Sequence, residues 1–166
     1  MMEITIRHTE AADAEAIYRI FTCPNVIRGT LQLPYPTVAL WRKRLSEPAE
    51  GIYFLCAVVD EEVIGHLGLH TTTRPRRRHA ASIGMAVHDA WHGQGIGSAL
   101  MAAAIDMAEN WLAVTRLELS VFTDNAPAVH LYTKFGFVIE GTLAGYALRE
   151  DRYEDVYTMA RLAGQV

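Results

Sequence analysis

The chain opens on an alternation: in "EITIRH", Ile4 and Ile6 are set against charged or polar neighbours, the period of a half-buried strand. "TEAADAEAIYRIF" switches to helical spacing, with Ala12, Ile17, Ile20 and Phe21 recurring at roughly three and four residues. "TCPNVIRGTLQLPYPT" is broken by Pro24, Gly29, Pro34 and Pro36, so it cannot be one regular element and is expected to be a loop with short turns. Long irregular segments of compact domains are often functional.

"VALWRKRLSE" predicts a short helix, "IYFLCAVVD" a buried strand and "EEVIGHLGLHT" its hairpin partner, with Asp60, Glu61 and Glu62 at the turn. "TRPRRRHA" is a polar loop, and "ASIGMAVH" a further strand that stops just before the glycines of "WHGQGIGSALM". In "IGSALMAAAIDMAENWL", Ile96, Leu100, Met107 and Trp111 fall near the helical period, and "RLELSVF" sets Leu117, Leu119 and Val121 on one face of a strand. "NAPAVHLYTKFG" is a helix with Asn125 as N-cap, Pro127 in the first turn and Gly136 as the stop. "FVIEGTLAGYALR" and "YEDVYTMARL" complete the order as a hairpin. With no internal repeat and no long linker, residues 1–166 are expected to form one α/β domain, a single mixed sheet with helices on both faces.

Composition narrows the function classes. Hydrophobic residues make up 51% and charged residues 20%, values of a globular chain rather than a disordered one. A net charge of −4 argues against nucleic acid as partner, because that binding runs on neutralised phosphates. No apolar run approaches the roughly 18 residues of a membrane span. The two cysteines, Cys23 and Cys56, and the lack of a basic-then-apolar leader in "MMEITIRH" point to reduced thiols in the cytoplasm.

Three glycines in the five positions 93–97, between a strand and a helix, make an anion site: the helix N-terminus offers unpaired N–H groups and glycine lets a ligand come close. The spacing is not a Walker loop, since Ser98 follows Gly97 with no lysine beside it. Nor is it a dinucleotide fingerprint, because Ser98 or Leu100 stands where the third glycine is needed.

The order strand, "HGQGIG", long helix, strand, "DNAPAVHLYTKFGF" resembles the GNAT superfamily of acyl-CoA-dependent N-acetyltransferases, whose pyrophosphate loop reads Arg/Gln-x-x-Gly-x-Gly/Ala. Here that loop is His92-Gly93-Gln94-Gly95-Ile96-Gly97, with His92 departing from the usual first residue. Asn125, Ala128, Leu131, Tyr132, Gly136 and Phe137 are similar to the family's second segment, and the resemblance spans Ile4 to Leu162. It implies a mostly antiparallel GNAT-like sheet around the central strand, glycine loop and helix. "RPRRRHAASIG" and "NWLAVTRLELSVFTDNAPA" look most like a bacterial branch of L-amino-acid N-acetyltransferases.

The resemblance implies acetyl-CoA as co-substrate, a small-molecule amine as acceptor and no metal. Backbone N–H groups from Gly93 to Ala99 are expected to face the pyrophosphate, with Ser98 adding a hydroxyl. Met85 to Val87 are expected to pair with the pantetheine arm, the Val87 N–H polarising the thioester carbonyl; such a donor is worth roughly 3 kcal/mol in other enzymes. Tyr132 is the expected general acid, its phenol able to donate to a departing thiolate without ionising at neutral pH. Asn125 is expected to cap its helix and to contact CoA, and Lys134, one of two lysines, is expected either to reach the CoA phosphates or to lie in solvent.

No base is assigned: the strand before the loop offers Ser82 where many relatives carry Glu, leaving ordered water, Glu118 or Tyr146. Cys56, inside "FLCAVV", is expected to be an inert core residue, and Cys23 has no activating neighbour, so direct transfer is preferred over a thioester on the enzyme. His66 and His70 share a strand face without a third ligand and are expected to be polar packing. "RPRRR" is expected to be a solvated loop. Leu31, Leu33, Tyr35 and Tyr146 are expected to wall the acceptor site, with Arg28 or Arg149 holding a carboxylate. The acceptor expected is a free amino acid with an apolar side chain; the alternatives are a protein N-terminus, an antibiotic-like amine, or a non-catalytic CoA sensor. Relatives suggest a homodimer.

Overall fold

A computed structural model describes residues 1–164. Seven strands form one sheet in the order β1-β2-β3-β4-β5-β7-β6. They are β1 (Thr5–His8), β2 (Ile52–Val59), β3 (Glu62–Thr71), β4 (Ala80–Val87), β5 (Arg116–Phe122), β6 (Val138–Arg149) and β7 (Arg152–Leu162). Every neighbouring pair is antiparallel except β4 with β5, which run parallel because the glycine loop and a helix return the chain to the same end.

The helices α1 (Ala14–Phe21), α2 (Pro24–Gly29) and α3 (Val38–Ser46) lie on one face. There Ile17, Ile20, Phe21, Trp41 and Leu45 pack with Ala86 of β4. Helix α4 (Ile96–Asp106) covers the other face, burying Leu100, Met101 and Ala104 against Leu67 and Leu69 of β3 and Leu117 of β5. Gly65 of β3 permits this contact: a Cβ there would lie 2.9 Å from both Ile96 and Leu100. Helix α5 (Ala126–Lys134) follows β5.

The sequence expectations hold for the strands and differ in three places. Pro24 starts a short helix, α2, inside the segment expected to be irregular: Cys23 is extended, and proline in the first turn gives up an N–H that has no helical partner there. In α1 the buried small residue is Ala14 rather than Ala12, which is exposed in the turn before the helix. Helix α4 ends at Asp106 and widens into a π turn over Met107–Trp111, where the Leu112 N–H reaches back five residues to the Met107 carbonyl. Trp111 is carried outward and is 78% exposed.

Candidate active site

The site begins where two strands part. β4 and β5 pair only at Ala80–Arg116, Ala81–Leu117 and Ser82–Glu118. Beyond Ser82, β4 keeps β3 on one side, with Met85 opposite Leu67 and Val87 opposite Gly65, and among the described residues has no strand on the other. The His88 N–H donates to Ile64 of β3 at 2.9 Å. By alternation along the strand, the N–H and C=O groups of Met85 and Val87 face the open side. A central strand with unpaired backbone groups is a ready partner for an extended amide-bearing chain.

The glycine loop sits at the end of that open edge. Gly93 and Gly95 hold φ of +73° and +86°, the left-handed region where a side chain is strained, and a Cβ at either would meet nothing within 4 Å. The first bond of α4 runs from the Ala99 N–H to the Gly95 carbonyl at 3.0 Å, leaving the N–H groups of Ile96, Gly97 and Ser98 without a helical partner. Ala99, expected among the pyrophosphate donors, spends its N–H inside the helix. No side chain caps this terminus and no acid lies in its first turn, so the positive end of the helix is free to act on an anion. The side chains of His92 and Gln94 turn back on the loop itself: His92 Nε2 bonds the Val87 carbonyl at 2.8 Å, and Gln94 Nε2 donates to Ala90 at 3.2 Å.

Helix α5 closes the same end. The Asn125 side chain accepts from the Ala128 N–H at 3.3 Å, a cap worth about 1 kcal/mol. At the other end Gly136, with φ +83°, lets the Gly136 N–H reach Thr133 and the Phe137 N–H reach Tyr132, both at 3.0 Å. That turn seats Phe137 in the core at 1% exposure and brings its ring 6.0 Å from that of Tyr132. The "GF" of the sequence is therefore what orients Tyr132. Burial pushes the Tyr132 phenol up to about 12, so it keeps its proton throughout the physiological range. Tyr132, Ala128, Met85 and Val87 all pack on the same core. At Gly97 a Cβ would lie 3.0 Å from Leu131 and 3.5 Å from Met85, so glycine draws α4, α5 and β4 together. Lys134 Nζ stands 3.4 Å from Ser98 Oγ, placing a cation over the first turn of α4.

The acceptor-side residues are arranged differently. Leu31, Leu33 and Tyr35 are exposed, at 63%, 81% and 93%, and Tyr146 at 45%. Arg149 is not free to take an outside carboxylate: it forks onto Asp124 at 3.0 and 2.5 Å, lies 3.5 Å from Glu154 and stacks 4.8 Å over Phe122. Its guanidinium holds the Asp124 carboxyl below the usual range. Arg28 is half exposed and held loosely, 3.3 Å from Glu150 and 3.7 Å from Asp124. Asp124 and Glu150 escaped sequence reasoning because each partner lies 25 residues or more away along the chain.

Of the base candidates, Glu118 accepts from Arg116 at 2.6 Å and from Arg77 at 2.8 Å. Although burial raises its pKa, those two hydrogen bonds hold it below the ordinary carboxylate range, which makes it a weak base. Cys23 and Cys56 are both buried. His66 is 4% exposed among Phe21, Trp41 and Phe54. Among the described residues no group of three or more His, Cys, Asp or Glu could hold a metal ion, and no helix is long and apolar enough to cross a membrane.

An open strand edge and a glycine cradle at a helix N-terminus, with a partly buried tyrosine beside them, have the make-up of an acyl-CoA transferase site. The chain belongs to the acetyltransferase (GNAT) family, whose model matches residues 14–137. It is 49% identical over 162 residues to L-amino acid N-acetyltransferase AaaT of Escherichia coli K12, covering 98% of this chain and 99% of that protein. The fold superposes on a GNAT-family acetyltransferase from Streptococcus pneumoniae with a TM-score of 0.82 at 31% identity, over 98% of this chain and 100% of that one. Spermidine N-acetyltransferase from Vibrio cholerae, solved with CoA and spermine, shares the fold at a TM-score of 0.83 and 24% identity, over 96% of this chain and 95% of that one. The protein is an acetyl-CoA-dependent N-acetyltransferase.

Proposed function

We propose that the protein acetylates the α-amine of free L-amino acids with apolar side chains. The observation that carries the cofactor half is the parting of β4 from β5 beside the glycine loop. The acceptor class is supported by the 49% identity to the Escherichia coli L-amino acid enzyme. Gly93, Gly95 and the N–H groups of Ile96, Gly97 and Ser98 hold the pyrophosphate, with Lys134 adding charge. The open N–H and C=O of Met85 pair with the pantetheine arm, and the N–H of Val87, whose carbonyl is taken by His92, stabilises the oxygen that gains charge as the amine attacks. Tyr132 donates its proton to the departing thiolate sulfur. With Glu118 tied to two arginines, proton loss from the amine runs through water.

Arg28 reads the acceptor carboxylate, exchanging its loose contacts to Glu150 and Asp124, while Arg149 fixes Asp124 beneath it. Arg28→Ala is expected to raise the KM for the amino acid about tenfold and to leave that for its methyl ester unchanged. An equal effect on acid and ester removes Arg28 from carboxylate recognition. We further propose a cytoplasmic homodimer, joined through the exposed apolar side chains of β6, among them Ile139, Leu143 and Leu148. Sedimentation at monomer mass would refute the dimer.

A further inference from the structure

We propose that His92 is a positioning residue for acyl transfer: its Nε2–H holds the Val87 carbonyl and thereby fixes the end of β4 that faces the thioester. The inference rests on the reading above that the Val87 N–H polarises the thioester. Val87 is the last residue of β4, and its carbonyl points to the side that β5 has left. A carbonyl there has no ladder partner, and its negative end lies next to the N–H that must meet a developing oxyanion. His92 covers it at 2.8 Å. The next peptide N–H, that of His88, is held by Ile64 at 2.9 Å, so the Val87–His88 peptide is gripped at both ends. Its plane cannot turn, and the dipole beside the thioester is set before substrate arrives.

The tautomer this needs is favoured by the surroundings. Asp89 Oδ1 lies 3.8 Å from the same Nε2 and is buried without a hydrogen-bond partner of its own, while Asp89 Oδ2 accepts from the Asn25 N–H at 3.1 Å. A carbonyl and a carboxylate both in front of Nε2 place the proton on that nitrogen. Through Asp89 the strut also touches the start of α2, so one imidazole stands between the open strand edge, the glycine loop it precedes and the helix carrying Arg28.

This role separates cleanly from that of a phosphate ligand. A strut that orients the thioester acts on kcat; a side chain that binds pyrophosphate acts on CoA affinity. The test compares His92→Phe, which fills the space without a donor, His92→Ala, and His92→Gln, whose amide N–H has similar reach. Turnover is measured together with the calorimetric Kd for CoA and the infrared carbonyl band of acetyl-CoA bound without acceptor. The expected result is a kcat roughly ten- to thirtyfold lower in the Phe and Ala variants, recovery to within about threefold in the Gln variant, and a Kd within about twofold throughout. The thioester band, shifted to lower frequency in the unmodified enzyme, returns toward its free position in His92→Phe. A weakened Kd with kcat unchanged, or a shifted band that His92→Phe leaves in place, overturns the His92 role alone. An unshifted band in the unmodified enzyme overturns the Val87 reading, and the His92 role with it.

Discussion

The two halves of the site are held in different ways. Around the glycine loop, α4, α5 and β4 meet at van der Waals contact: a Cβ at Gly97 would press on Leu131 at 3.0 Å, and Phe137 is locked into the core by the turn at Gly136. On the acceptor side, residues 30–37 carry Leu31, Leu33 and Tyr35 into solvent, and the link from α2 to the β6–β7 hairpin runs through exposed charges on Arg28, Asp124 and Glu150. Exposed ion pairs contribute about 0–1 kcal/mol each, whereas burying one large apolar side chain contributes about 1.5–3 kcal/mol. The chemistry is therefore built where the packing is rigid. Acceptor choice is built where a substitution costs little stability.

The largest break in that comparison is at Tyr132. Tyr132→Phe keeps the ring that packs near Phe137 and removes the proton, so kcat is expected to fall about 10²- to 10⁴-fold for every acceptor, with the KM for acetyl-CoA little changed. Steady-state kinetics with two unlike acceptors checks it; a loss confined to one acceptor would move Tyr132 to the acceptor half.

A smaller effect lies under the acceptor half, in the layer of α1 and α3. Burial lowers the His66 imidazole from its ordinary 6.5 to about 4. The unfolded chain takes up that proton first as pH falls, so stability is full above pH 6.5 and is lost between 6.5 and 4, by on the order of 3 kcal/mol. Urea titrations across this window are expected to show that slope in the unmodified protein and a flatter one in His66→Phe, after allowance for carboxylates that titrate at its acid end.

The smallest effect concerns Arg28. Beyond its action on the acceptor KM, Arg28→Ala is expected to change unfolding free energy by less than about 0.5 kcal/mol, because its partners lie 3.3 and 3.7 Å away in solvent. Arg149→Ala, which strips a nearly buried fork from Asp124 and Phe122, is the contrasting control.

The contrast also accounts for what was legible in the sequence. Local signals carried the cofactor half: glycines 93 and 95, the Asn125 cap and the Gly136-Phe137 stop each act within a few residues of themselves. What stayed hidden depends on register or distance. The parting of β4 from β5 after Ser82 is a property of pairing between residues 36 positions apart, with no local mark on either strand. The fold-back of His92 onto Val87, the capture of Arg149 by Asp124 and the neutralisation of Glu118 by Arg77 and Arg116 are side-chain pairings that spacing alone does not encode. Helix α2 was masked by Gly29, Pro34 and Pro36, which break the segment after it, although Pro24 marks its start.

In the proposed function, this site passes an acetyl group from acetyl-CoA to a free amino acid. The direct measurement is thiol release from acetyl-CoA across free L-amino acids, polyamines and short peptides, with Tyr132→Phe beside the unmodified enzyme and the products weighed by mass spectrometry. Release is expected with apolar L-amino acids, giving N-acetylated product, with a deep loss in the variant. Release with polyamines or peptides alone, or none with any acceptor despite acetyl-CoA binding, would contradict it.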